Sequence, residues 1–161
     1  MSQLPPFQRF LDIHADGVLR FLIASVGRHD ADDAFQETFL SALRAYPRLR
    51  PGSDLRGWVL TIAHRKALDV HRGRARRPVP VAEPDHEAAP AHSDGTDGDQ
   101  WNRVRTLPAR QRAVLTLRYA GGLTHAEIAT ALGCSEEAAR RAAADAMKTL
   151  RKELSHVTAS T

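Results

Sequence analysis

A chain of 161 residues, 42% of them apolar, can fold as one domain or two small ones, and with aromatics at only 6% its core must be aliphatic and alanine-rich. No apolar run approaches the roughly 20 residues of a membrane span, the first residues lack a signal-peptide pattern, and the single cysteine, Cys134, excludes an internal disulfide or a cysteine-cluster zinc site. The net charge of +4 hides an acidic stretch, because residues 78–100 hold Glu83, Asp85, Glu87, Asp94, Asp97 and Asp99 with no Lys or Arg, leaving two basic flanks suited to a polyanionic partner.

In chain order, Pro5 and Pro6 suit the start of a helix. Phe7, Phe10, Leu11, His14, Val18, Phe21 and Leu22 then recur at three and four residues until Gly27. A second helix is expected over 30–45, with Phe35, Phe39 and Leu43 on one stripe, and Pro47, Pro51 and Gly52 break it. Ser53 is the expected N-cap of a third helix, from Leu55 to about Arg72, which carries Trp58, Val59, Ile62, Ala63 and Leu68 before turning Arg-rich. Residues 78–100, which combine Pro, Gly and Asp and lack an apolar period, read as a flexible acidic linker.

Beyond it, Pro108 fits the first turn of a helix reaching about Ala120, and Gly121-Gly122 breaks it. Thr124-His125-Ala126-Glu127 has the form of a capping box. Gly133 ends that short helix, and Ser135 with Glu136 and Glu137 opens a last one to about Leu154. No segment alternates with period two, so the expected class is all-α. Two small helical domains, 1–77 and 101–161, flank the linker. Ala129, Gly133 and Ala139 carry the small-residue and turn spacing of a helix-turn-helix over 124–144.

Three motifs in order then point to a family. The run from Leu107-Pro108-Ala109-Arg110-Gln111-Arg112 through Leu117-Arg118-Tyr119, Gly122-Leu123-Thr124, Glu127-Ile128-Ala129 and Leu132-Gly133-Cys134-Ser135 resembles the C-terminal domain of bacterial sigma factors. Asp33-Ala34-Phe35-Gln36-Glu37-Thr38-Phe39-Leu40 resembles their polymerase-binding helix. Leu55-Arg56-Gly57-Trp58-Val59-Leu60-Thr61-Ile62-Ala63, followed by Ala67-Leu68-Asp69, resembles the segment that opens the promoter and reads its minus-ten element. The two-domain layout is similar to the extracytoplasmic-function group.

The resemblance implies a non-enzymatic, cytoplasmic subunit that binds core RNA polymerase and promoter DNA, needs no cofactor or metal, and admits an anti-sigma factor as a further partner. It implies polymerase contacts at Asp33, Gln36 and Glu37. DNA contacts are expected at Arg48, Arg50, Arg56, His64, Arg65, Lys66 and Arg72, and at Arg140, Arg141 and Lys148 of the last helix. It also implies a flipped base near the loop before Trp58, with Tyr46 beside it. Many family members carry Asn where this chain has Arg65, and Arg in the last helix where it has Ala142 and Asp145. Weak minus-35 reading is therefore expected. Two alternatives stay open: a helix-turn-helix regulator acting without polymerase, and a sigma-like protein acting through protein contacts.

Overall fold

The first helix, α1 (Phe7–Val26), begins directly after Pro6 and stops at Gly27, whose φ of 83° turns the chain straight into α2 (Arg28–Ala45). A computed structural model describes residues 3–76 and 97–160 of the chain. After α2, a 3-10 turn at Tyr46–Arg48 leads to α3 (Leu55–Arg76). The N-terminus of α3 is capped by Asp54, not by Ser53: the Asp54 carboxylate accepts from the Gly57 amide at 3.2 Å, while the Ser53 hydroxyl donates to the Arg50 carbonyl at 2.6 Å. Asp54 is the residue adjoining the first helical position, so its side chain reaches the free amides.

These three helices pack on one another around Phe10, Phe21, Leu22, Val59 and Leu60, all at most 2% exposed. Trp58 belongs to this packing, its ring centroid 5.8 Å from that of Phe10.

The second half opens with α4 (Asp97–Arg105), so the last residues of the acidic stretch are helical and the linker expected over 78–100 ends before them. The remainder of that linker lies outside the described residues. Next come α5 (Ala109–Leu115) and a π-helical turn at Thr116–Ala120, where one uninterrupted helix was expected. The turn closes with the Gly121 amide on the Thr116 carbonyl at 2.9 Å, a five-residue step.

Helix α6 (His125–Leu132) starts at the expected capping box: Thr124 accepts from the Glu127 amide and Glu127 from the Thr124 amide, both at 3.2 Å. It ends at Gly133, in the left-handed region at φ 67°, whose amide and that of Cys134 return to the Ala129 carbonyl. Ser135 then caps α7 (Glu136–Ala159) through the Ala138 amide at 3.1 Å. Helices α6 and α7, joined by this glycine turn, form the helix-turn-helix. A Cβ at 133 would meet open space. Gly133→Ala therefore costs only backbone strain, and an expected loss of about 1–2 kcal/mol in chemical denaturation follows from its positive φ alone.

The two halves do not stand apart. Val114, Leu117, Leu123, Ile128, Ala129, Ala139 and Ala142 join the buried cluster of α1–α3. Helix α1 lies against the π turn and α4, and α3 lies against α6. A smaller cluster of Val104, Leu107, Leu115 and Ala146 fills the far side of the second half. No helix among the described residues is long and apolar enough to cross a membrane.

Candidate nucleic-acid interface

Helix α3 sorts its side chains by face. Leu60, Ala63, His64 and Ala67 are buried, at three- and four-residue spacing, while Arg56, Arg65, Arg72, Arg74 and Arg76 are exposed. Lys66 is half-buried. Arg48 and Arg50, on the approach to α3, are also exposed. Arg48, Arg50, Arg65 and Arg72 thus all stand on accessible surface.

Two expected contacts sit elsewhere. His64 is only 7% exposed and faces Ser25 of α1 together with Ala109, Arg112 and Ala113 of α5. It belongs to the buried stripe and not to the basic run around it. Burial, reinforced by Arg112, Arg65 and His71, lowers its pKa to about 4, so it is neutral at pH 7. Tyr46 is buried too, its hydroxyl donating to the Pro5 carbonyl and its ring 5.3 Å from Phe7, so it has no free face for a base. Arg56 is exposed, yet its guanidinium donates to the Gly121 carbonyl in the other half.

On α2, Asp33, Gln36 and Glu37 are exposed beside half-buried Phe35 and buried Phe39, whose rings stand 4.8 Å apart. Leu40 and Leu43 add apolar surface at 46% and 49% exposure. A polar rim around apolar anchors is the composition of a protein-binding face. Leu43 looked like core from the sequence, because the helix stripe alone does not say which edge of it meets solvent.

On α7, Arg140, Arg141, Ala144, Asp145 and Lys148 form the exposed face of the second helix of the helix-turn-helix. Arg140 is paired with Glu136 one turn earlier, so part of the scant positive charge is already neutralised on the helix itself.

A feature without sequence signal lies between α4 and α7. It is an apolar groove of about 490 Å³, lined by Trp101, Val104, Leu115, Tyr119, Met147 and Leu150 among others. Tyr119 sits in the π turn and is 64% exposed. Its orientation depends on the five-residue step, which no periodicity predicts.

A helix-turn-helix, a separate basic helix and an acid-and-apolar helix face define a DNA-binding protein with a protein-docking surface. Residues 10–77 match the model of sigma-70 region 2, and residues 101–150 that of sigma-70 region 4. The chain is 33% identical over 151 residues to the ECF RNA polymerase sigma factor SigD of Mycobacterium tuberculosis (strain ATCC 25618 / H37Rv), an alignment covering 85% of this chain and 71% of that one. It is 30% identical over 142 residues to the ECF sigma factor SigE of Mycolicibacterium smegmatis, covering 82% of this chain but 55% of the longer relative. The chain belongs to the ECF RNA polymerase sigma factors.

Among solved structures, CnrH in complex with the cytosolic domain of CnrY has the same fold. The TM-score is 0.73 at 22% identity, over 93% of this chain and 88% of that one. The sigma factor RpoE of Bartonella quintana, in complex with the anti-sigma factor NepR, gives 0.72 at 21%, over 92% and 96%.

Proposed function

We propose that this sigma factor binds core RNA polymerase and directs promoter-specific transcription initiation in the cytoplasm, by binding and not by catalysis. The observation that carries this reading is the occurrence, in one chain, of an exposed acid-and-amide helix face, a basic helix and a helix-turn-helix. The first of these has no use in a repressor that works on DNA alone.

Asp33, Gln36 and Glu37 on α2 contact the polymerase, with Leu40 and Leu43 as neighbouring apolar surface. Arg48, Arg50, Arg56, Arg65, Lys66 and Arg72 hold promoter phosphates near the minus-ten element. Arg140, Arg141 and Lys148 contact the minus-35 element. Glu136 and Glu137 stand at the end of α7 that enters the groove, where they repel phosphate while favouring the helix dipole. Minus-35 contacts are therefore few, and the first half supplies most promoter selectivity. His64 takes no part in DNA binding in this arrangement, because it is buried against α5. The groove between α4 and α7 supports a second protein contact: its size and apolar lining fit an amphipathic segment of an anti-sigma factor, the kind of partner with which RpoE was crystallised.

The test is holoenzyme assembly. Gln36→Ala with Glu37→Ala removes exposed groups only, so the double variant keeps its helical circular-dichroism spectrum and its melting temperature. Its affinity for purified core polymerase is expected to fall about tenfold or more, as lost charged and polar rim contacts require. Undiminished binding by a folded double variant would sink the assignment of this face.

A further inference from the structure

A small cavity of about 10 Å³ lies where α1, α3 and α5 meet, lined by Ser25, His64, His71, Arg112 and Thr116 among others. Ser25 is 4% exposed, and its hydroxyl has no hydrogen-bond partner among the described residues. A buried hydroxyl left unpaired is costly, so this one needs an acceptor. Its polar neighbours are engaged in other ways. The Thr116 hydroxyl donates to the Arg112 and Ala113 carbonyls at 3.0 and 3.1 Å, and His71 is hydrogen-bonded to the Ser25 backbone. Arg112 donates from one terminal nitrogen to the Arg105 carbonyl at 3.3 Å.

The charge around the cavity has one sign. Arg112, Arg65 and His71 act on His64, and Arg112, Arg74 and Arg105 act on His71. Among the described residues, no carboxylate acts on either imidazole. A water would take the Ser25 proton and leave the positive field as it is, whereas an anion answers both. Size narrows the choice further. The volume is close to that of a single water-sized sphere, so it admits a monatomic ion and not a phosphate or a carboxylate.

We propose that this cavity binds one chloride-sized monovalent anion, held by the Ser25 hydroxyl, the His64 imidazole and the Arg112 guanidinium, and thus shared by the two halves of the chain. Ser25 and His64 belong to the first half and Arg112 to the second, so the ion ties the halves together. None of the three is among the polymerase or promoter contacts proposed above, and the site stands apart from that reading. The ion also supplies what His64 lacks. Its neighbours are Ser25 from α1, Arg65 and His71 from α3, and Arg112 and Thr116 from the second half, none of them negative. An anion among them favours the protonated imidazole, so ion binding tightens as the pH falls.

The test compares the full chain with Ser25→Ala in sodium chloride and in sodium gluconate at equal ionic strength, gluconate being too large for the cavity. The variant removes only a hydroxyl without a partner, so in gluconate it is expected to be at least as stable as the wild type. In chloride the wild type is expected to gain stability saturably, its unfolding constant falling about tenfold at chloride about ten times the dissociation constant, while Ser25→Ala gains none of this. His64→Gln keeps an N–H donor but does not titrate. It is expected to retain the chloride effect at neutral pH and to lose the growth of that effect in acid. Anomalous scattering from crystals soaked in bromide locates the ion, with a peak expected between Ser25, His64 and Arg112.

Equal stability of the wild type in chloride and in gluconate would overturn the proposal. So would a chloride effect of the same size in Ser25→Ala, which would place the ion elsewhere. Solvent density at the cavity without a bromide signal would mean a bound water only, and would overturn it as well.

Discussion

Phe10→Ala is expected to cost about 3–5 kcal/mol, the range for removing a fully buried ring. Phe10 is 0% exposed, and its ring centroid lies 5.5 Å from Phe7, 5.2 Å from Tyr46, 5.8 Å from Trp58 and 6.2 Å from Phe39. Among the described residues it is the one ring that meets aromatic side chains from α2, from α3 and from the turn between them. Domains of this size hold only about 5–15 kcal/mol in total, so the loss takes much of it. Leu40→Ala, at a position 46% exposed, should stay within about 0.5 kcal/mol. Chemical denaturation of both variants checks the contrast; equal losses would mean that Phe10 is not the hub of the core.

Acid is expected to destabilise the fold through His64. Its pKa is about 4 in the folded chain, against 6.5 for an unburied histidine. Between those values the unfolded chain binds a proton that the folded chain refuses. Stability is therefore full above pH 6.5 and falls as the pH drops towards 4. By pH 4.5 the loss from this group is roughly 2–3 kcal/mol, at 1.36 kcal/mol for each pH unit of displacement. The groups facing it from every side are uncharged or positive: Ser25 from α1, Arg65 and His71 from α3, and Arg112 and Thr116 from the second half. Among the described residues, no carboxylate faces it to hold the added charge. His71, lowered chiefly by burial and then by Arg112 and Arg74, acts in the same direction, partly offset by its hydrogen bond to the Ser25 backbone. Denaturation midpoints at pH 7.5 and 4.5 for wild type and His64→Gln separate this group from the carboxylates. An unchanged pH dependence in the variant would refute the assignment.

What the sequence disclosed and what it withheld divide along a physical line. Gly27 and Gly133 were legible as helix ends because the positive φ adopted there favours glycine. The Thr124 capping box was legible because both of its hydrogen bonds are local. Helix α3 runs to Arg76, four residues past its expected end, and Arg74 on that extension holds Val26 and Asp30, partners more than forty residues away. The misplacement of His64 had a signal in the sequence. It follows Ala63 on the stripe of Leu60 and Ala67, but reading it with Arg65 and Lys66 as one linear run hid the helical period. The π turn, the seat of Arg56 and the contact between α3 and α6 had none, since they depend on how the halves meet.

Arg56 on the Gly121 carbonyl and Arg105 on the Ile23 and Ala24 carbonyls join the halves through guanidinium groups on backbone oxygens, not on carboxylates, so the contact between the halves and the contact with DNA answer differently to dissolved salt. Charge-assisted bonds to backbone dipoles are short-ranged and partly enclosed, and dissolved ions screen them little. Binding to DNA is the opposite case: its affinity falls with a log-log slope near 0.9 for each phosphate neutralised, because counterions must be released. Rising salt thus weakens the hold on DNA while leaving the contact between the halves in place.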